Sequence, residues 1–238
     1  MPFKHMTDRR QIEALRDPAV VQKYGGDIKD GLYEWETTFL NSSGFFGSPG
    51  KRLLSLGCGG GREALPLAQM GFDVTAIDAC AALIAKAREA AQSGKVRVNF
   101  LTATVPPLSA ELGAFSHIMA TYNFLSYIYE LEEMKRLLRQ VKERMARNGK
   151  FFFTFHDRTS RARSLDGCGI VKEVPQLPGV NCATIKARFF RRDELFPLIE
   201  GAGLRVVDSR RIGELVRDAS RPVKWGTSTV LCLASHQQ

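Results

Sequence analysis

Lys51-Arg-Leu-Leu-Ser-Leu-Gly-Cys-Gly-Gly-Gly-Arg-Glu-Ala-Leu-Pro-Leu-Ala68 runs from a short apolar segment through four glycines within five residues into a helical pattern. It reads as strand, tight turn, helix. Gly57, Gly59 and Gly61 free the backbone to adopt positive φ and remove side chains that would hold a ligand off the turn. A flat or anionic cofactor can then lie against main-chain amides at the start of the helix. Further along, Phe72-Asp-Val-Thr-Ala-Ile-Asp78 reads as a second strand ending in a carboxylate. From that position an acidic side chain accepts both hydroxyls of a ribose. An ordinary tight strand-to-helix turn explains the glycines alone; the glycines with Asp78 point to a nucleoside-containing cofactor.

The glycine spacing separates two families that use this arrangement. A dinucleotide fold wants Gly-x-Gly-x-x-Gly, and the third position here is Arg62. With glycine at alternate positions, the segment resembles the first motif of class I S-adenosylmethionine-dependent methyltransferases, a resemblance carried by motif over about residues 50–157. It implies an α/β, Rossmann-like, seven-stranded and mostly parallel sheet with helices on both faces, the last strand antiparallel. Gly57, Cys58, Gly59 and Gly61 would lie against the methionine and ribose part of S-adenosylmethionine, with Asp78 on the ribose hydroxyls. Ala79 and Thr121 would complete the cofactor contacts. The family's adenine-binding aspartate is replaced by Thr104, whose hydroxyl can accept the same hydrogen bond without charge. In Phe115-Ser-His-Ile118 the family's acid is Ser116, which is assigned no chemistry. Residues 1–49 would form an N-terminal helical lid bringing Tyr24 and Tyr33 to the cofactor, with residues 50–238 as the methyltransferase domain; packing onto the body is the competing role for these aromatics.

A length of 238 residues suits one domain. No uncharged apolar run reaches the roughly 18 residues of a membrane span, and Met1 to Arg10 lacks the apolar core of a secretory signal, so a cytoplasmic protein without membrane association is expected. Five cysteines, Cys58, Cys80, Cys168, Cys182 and Cys232, are scattered without a C-x-x-C pair, which predicts reduced thiols and no metal site. The formal charge of +9 invites nucleic acid as a partner. Against it, Lys135, Arg136, Arg139 and Lys142 alternate with Glu132, Glu133 and Glu143 on one amphipathic helix, the pattern of a solvated face. Denser basic clusters stand at Arg158–Arg163 and Arg188–Arg192.

Along the chain, helices are expected over 8–23 and 32–40, with Tyr24, Tyr33 and Trp35 beside a glycine-loosened stretch that can close over a ligand. The first body helix is expected over 62–70, the second over 81–92 and a third strand over 96–101. Strand 115–121 delivers Thr121, Tyr122 and Asn123 to the carboxyl end of the sheet, where ligands bind in open α/β folds; helix capping is the alternative for Asn123. A long amphipathic helix spans 131–145. A turn at Arg147–Gly149 leads into a buried strand from Lys150 that ends in His156, the candidate general base with an ordinary pKa near neutrality. Residues 158–181 read as irregular, within an acceptor-side insertion around 158–190. An extra strand, a helix and two further strands follow, the last over 227–234.

The resemblance implies transfer of a methyl group from S-adenosylmethionine to a nucleophilic O or N of a small-molecule acceptor, with His156, Tyr122 and Asn123 as acceptor-side candidates. The rivals are RNA methylation, a non-methylating reaction on S-adenosylmethionine itself, and a cofactor-binding protein with a degenerate acceptor site.

Overall fold

The computed structural model describes residues 9–158, 168–175, 184–215 and 229–236. Leu53, Leu54 and Leu56 make Arg52–Leu56 (β1) an apolar run buried on both faces, the signature of a central parallel strand. It pairs in parallel with Asp73–Asp78 (β2) and Phe115–Ala120 (β4). Beyond them lie Asn99–Thr102 (β3) on one side and Met145–His156 (β5), Thr229–His236 (β9) and Leu204–Arg211 (β8) on the other, giving the order β3-β2-β1-β4-β5-β9-β8. Only β9 runs against the rest; it pairs antiparallel with both neighbours. This is the expected seven-stranded, mostly parallel sheet with its last strand antiparallel.

Alternation along β5 distributes the core. Phe151, Phe153 and Phe155 join one buried cluster with Leu137 and Leu138 of Leu131–Arg144 (α7) and Leu195 of Arg192–Gly201 (α8). Phe152 faces the other cluster with Leu67 of Ala64–Gln69 (α4), Ile84 of Ala81–Ser93 (α5) and Phe39 of Glu34–Ser42 (α3). Helices therefore cover both faces, as a buried parallel sheet requires. The N-terminal segment adds Arg9–Ala14 (α1) and Pro18–Gly26 (α2) before α3. Pro18 does not break the expected helix over 8–23 but divides it: Asp17 caps α2 by accepting from the Ala19 amide at 2.9 Å, and Pro18 takes the first-turn position, where its missing amide is harmless.

Three local expectations are corrected. The first body helix starts at Ala64, leaving Arg62 and Glu63 in the preceding turn. The turn expected at Arg147–Gly149 is absorbed into β5, where the pairing with β4 shifts from Phe115↔Met145 to His117↔Lys150; the extra residues form a bulge. Within the segment read as irregular, Ile170–Pro175 (β6) pairs antiparallel with Thr184–Phe189 (β7) as a separate two-stranded sheet. The segment, Ile170-Val-Lys-Glu-Val174, has three β-branched residues but no apolar-polar alternation to mark it as a strand. Met1–Asp8, Cys182, Thr159–Arg163 of the first basic cluster and the start of the expected strand at 227–228 lie outside the described residues. Among the described residues no helix is long and apolar enough to cross a membrane, and no cluster of His, Cys, Asp and Glu could hold a metal ion.

Candidate functional site

At the carboxyl end of β1 the chain turns sharply under three positive φ values, +65° at Gly57, +53° at Gly59 and +88° at Gly61. The glycines serve different ends. A Cβ on Gly57 would fall 2.3 Å from the Phe124 ring; one on Gly60 would meet Ile28 at 2.8 Å and the Tyr24 carbonyl oxygen at 2.9 Å. One on Gly61 would press on Ala87 and Phe100 at 3.3 and 3.4 Å. Gly59 alone of the four has nothing within 4 Å, so it is the one position of the turn whose side chain would project into open space.

Beside it stands the β2 carboxylate. Asp78 Oδ2 accepts from the Gly59 amide and Oδ1 from the Cys80 amide, each at 2.8 Å. Burial pushes the Asp78 pKa up, and the amides of Cys80, Gly59 and Ala79 pull it back. A carboxylate offers about four acceptor positions, so these amides orient the group and leave capacity for sugar hydroxyls.

The turn and Asp78 border one cavity. Its wall includes Ala79, Ala103, Thr104, Thr121 and Tyr122 from strand ends, Ile12, Leu15, Tyr24 and Asp27 from the N-terminal segment, Phe124 and Tyr127 of Phe124–Tyr127 (α6), and Ile185 of β7. Of the residues the sequence singles out, Tyr24, Gly57, Cys58, Gly59, Asp78, Ala79, Thr104, Thr121 and Tyr122 meet at this cavity, whereas Tyr33, Gly61, Asn123 and His156 do not border it. Gly61 packs under the turn. Thr104 is exposed at the rim. The Cys58 thiol is pushed well up by burial, Asp78 and Glu63, which keeps it a poor nucleophile.

Tyr33 lies one layer behind, its hydroxyl 2.9 Å from that of Tyr122 and 3.4 Å from Asp30. The Tyr122 hydroxyl also donates to Asp27 at 3.3 Å, and Asp27 takes Lys23 as its ion partner. Burial drives the Tyr122 phenol up, so it stays protonated. Tyr122 and Asn123 both carry positive φ, +54° and +56°. Two successive non-glycine residues in the left-handed region store strain of the kind that collects at functional loops. Asn123 makes no capping bond with its side chain. Its amide nitrogen Nδ2 stands 2.9 Å from His156 Nε2, and Thr229 Oγ1 stands 3.4 Å from His156 Nδ1. His156 stacks on Phe189, and burial lowers its pKa; both ring nitrogens of this neutral imidazole already face partners. Asp157 and Arg158 are tied to Arg211 and Glu194.

Asp27, Glu63 and the apolar wall from α1, α6 and β7 escaped the sequence reading. The usable signal was the pair Arg62-Glu63, two charges opening an otherwise apolar helix. The charged lining is three carboxylates, Asp27, Glu63 and Asp78, against one guanidinium, Arg62, which Glu36 engages from behind at 2.7 Å on both nitrogens. Such a wall suits a cation and opposes the pyrophosphate of a dinucleotide. A bare glycine main chain, an oriented carboxylate with spare acceptor capacity and acidic surroundings together fit S-adenosylmethionine, an adenosyl sulfonium.

A family model described as a methyltransferase domain matches residues 53–149. A ubiquinone biosynthesis O-methyltransferase of Rickettsia akari is 30% identical over 114 residues, 48% of this chain and 43% of that protein. One from a Caulobacter species is 30% identical over 155 residues, 64% and 58% of the two chains. The chain thus spans less than two thirds of these relatives. Among solved structures, an S-adenosylmethionine-dependent methyltransferase from Clostridium acetobutylicum superposes with TM-score 0.67 at 12% identity, covering 92% of this chain and 98% of that one. The glycopeptide N-methyltransferase MtfA, solved with S-adenosylmethionine, gives TM-score 0.61 at 16% identity, with 87% and 96% covered. At these identities the likeness is one of fold. The chain thus carries a match to a methyltransferase domain over residues 53–149 and shares the fold of solved S-adenosylmethionine-dependent methyltransferases.

Proposed function

We propose that the protein transfers a methyl group from S-adenosylmethionine to a nucleophilic oxygen or nitrogen of a small-molecule acceptor. The observation that carries this reading is the joint placement of the Gly59 main chain and the Asp78 carboxylate on one acid-lined cavity. When bound, the cofactor supplies an electrophilic methyl on a positively charged sulfur. The chain's own part is positioning. Asp78 accepts the ribose hydroxyls, Gly57, Cys58 and Gly59 bring the main chain to the cofactor while Gly61 shapes the turn from beneath, and Ala79, Thr104 and Thr121 complete its surround. Tyr24 and Tyr122, edge to face at 6.1 Å, offer aromatic surface to the cation. On the acceptor side, Tyr122 presents its ring at the cavity wall with its hydroxyl held between Asp27 and Tyr33, and Asn123 and His156 set the strained loop that carries it. Tyr33 supports the same loop through its hydroxyl bond to Tyr122. The two relatives named for O-methylation in ubiquinone biosynthesis favour a small acceptor, which for this chain is read from cavity form: a partly enclosed space beneath an N-terminal cover.

The test uses calorimetry with S-adenosylhomocysteine on the wild type and Asp78→Asn. Charge-assisted hydrogen bonds of about 1.5–3 kcal/mol each predict an affinity loss of about 100-fold for the variant with little change in melting temperature. Equal affinity in the two proteins removes Asp78 from the site. Product analysis after incubation with S-adenosylmethionine and acceptor pools separates S-adenosylhomocysteine, which the reading requires, from methylthioadenosine, which selects a non-methylating reaction.

A further inference from the structure

In the sequence Arg62 only breaks a dinucleotide motif; in the structure it is the most heavily engaged side chain near the cavity. It is 3% exposed. One terminal nitrogen donates to the Gly31 carbonyl at 2.6 Å and to Glu36 Oε2 at 2.7 Å; the other donates to Glu36 Oε1 at 2.7 Å and to Glu63. Its guanidinium carbon lies 4.2 Å from the Tyr33 ring centre and 4.7 Å from that of Tyr122. Burial, which alone would lower its pKa, is outweighed by Glu63 and Glu36, so it is held as a cation.

These contacts join two parts of the N-terminal segment to the glycine turn. On α3, Phe39 and Leu40 are buried in the core and Phe39 packs on Phe152 at 5.6 Å, which fixes Glu36 as a platform. Pro18–Asp30 is instead laid across the glycine turn, with Ile28 and the Tyr24 carbonyl seated where a Gly60 side chain would be. Gly31 joins the two at φ +59°, ψ −150°, a conformation open essentially to glycine alone. Its carbonyl is what Arg62 holds.

We propose that Arg62 is a positioning residue that latches the Pro18–Asp30 cover onto the glycine turn by gripping the Gly31 carbonyl from the Glu36 platform, so that cofactor leaves only after this grip is released. The planar fork is needed because three acceptors in different directions are served at once, which a lysine ammonium on a flexible stem does poorly. Glu63, bonded to both Arg62 and Thr121, extends the grip to the loop after β4 and thus to Tyr122.

The experiment pairs stopped-flow release of S-adenosylhomocysteine with amide hydrogen exchange on the wild type, Arg62→Lys and Glu36→Gln. Expected are a release rate at least 10-fold faster in both variants, an association rate that rises or holds but does not fall, and faster exchange confined to residues 18–31 while β1, β4 and β5 keep their protection. Release within twofold of wild type, or exchange of 18–31 unchanged, overturns the latch. Loss of protection throughout the sheet in both variants also overturns it, since Arg62 would then serve overall stability alone. Should the wild type bind no S-adenosylhomocysteine, the proposed activity fails separately, and exchange of 18–31 in the unliganded proteins still decides the latch.

Discussion

Gly57 and Gly59 look equivalent in sequence, and their surroundings are opposite. Gly57→Ala places a methyl inside the Phe124 ring at positive φ; left-handed strain of about 1–2 kcal/mol adds to overpacking of about 1–3 kcal/mol. A loss of about 3 kcal/mol in denaturant stability is expected. Gly59→Ala carries only the backbone strain, about 1 kcal/mol, but puts its methyl into the cavity; calorimetry should find cofactor affinity nearly abolished in a folded protein. A second residue effect concerns pH. His117 is fully buried, its Nε2 donating to the Phe45 carbonyl at 3.0 Å and its Nδ1 2.9 Å from Ser116 Oγ. Burial lowers its pKa from 6.5 to about 4. Above pH 6.5 the ring is neutral in both folded and unfolded chains; below it the unfolded chain takes up a proton that the folded one refuses. Stability is therefore lost between pH 6.5 and about 4, by about 3 kcal/mol from this residue. Urea titrations at pH 7 and 4.5 should show a smaller drop in His117→Gln. Ser116, given no chemistry from sequence, is the partner that fixes this ring. The setting was illegible because the other ring nitrogen meets the Phe45 carbonyl, 72 positions away in the chain.

At the scale of elements, the N-terminal cover is where local signals and tertiary contacts divide the work. Asp17-Pro18 is a cap and first-turn pair readable from sequence, and Asp17→Ala should cost about 1 kcal/mol, seen as faster hydrogen exchange within α2 alone. If the sheet loosens equally, α2 is not an independent element. What the cap does not reveal is that α2 and the turn after it carry Tyr24 and Asp27 to the cavity. The 3.6-residue periodicity of α7, with Met134, Leu137, Leu138 and Val141 on one face, predicted that helix to within a residue. The shorter signals failed for physical reasons. β6 is a six-residue strand with β-forming residues but no alternation, and its partner lies across an intervening segment, so only the pairing shows it to be a strand. The helix after the glycine turn lost its first two residues because Arg62 and Glu63 are drawn into contacts with Glu36 and Thr121.

At the scale of the molecule, β9 is the piece that closes the sheet. It lies between β5 and β8, and without it β8 has no strand to pair with. A chain ending before Thr229 should lose cooperative unfolding, as read by calorimetry; a truncated protein with a sharp, wild-type transition would mean the sheet stands without it. The net charge of +9 belongs to this scale as well. On α7, Lys135 and Arg136 pair with Glu132 and Glu133, so these basic residues are answered locally, in keeping with a solvated face.

The strand-turn-helix with alternate glycines, the carboxylate ending β2 and the order of apolar segments were written in the sequence by itself, because each is a short-range pattern of side-chain size, charge and period. They determined a parallel α/β sheet and the cofactor edge of the site. Only the tertiary structure decided which glycine faces the cavity, that Arg62 grips the N-terminal segment, and that Asn123 and His156 bond to each other instead of bordering the cavity. Those outcomes depend on residues tens of positions apart sharing a low-dielectric interior, where a buried polar group must find whatever partner the fold brings within reach.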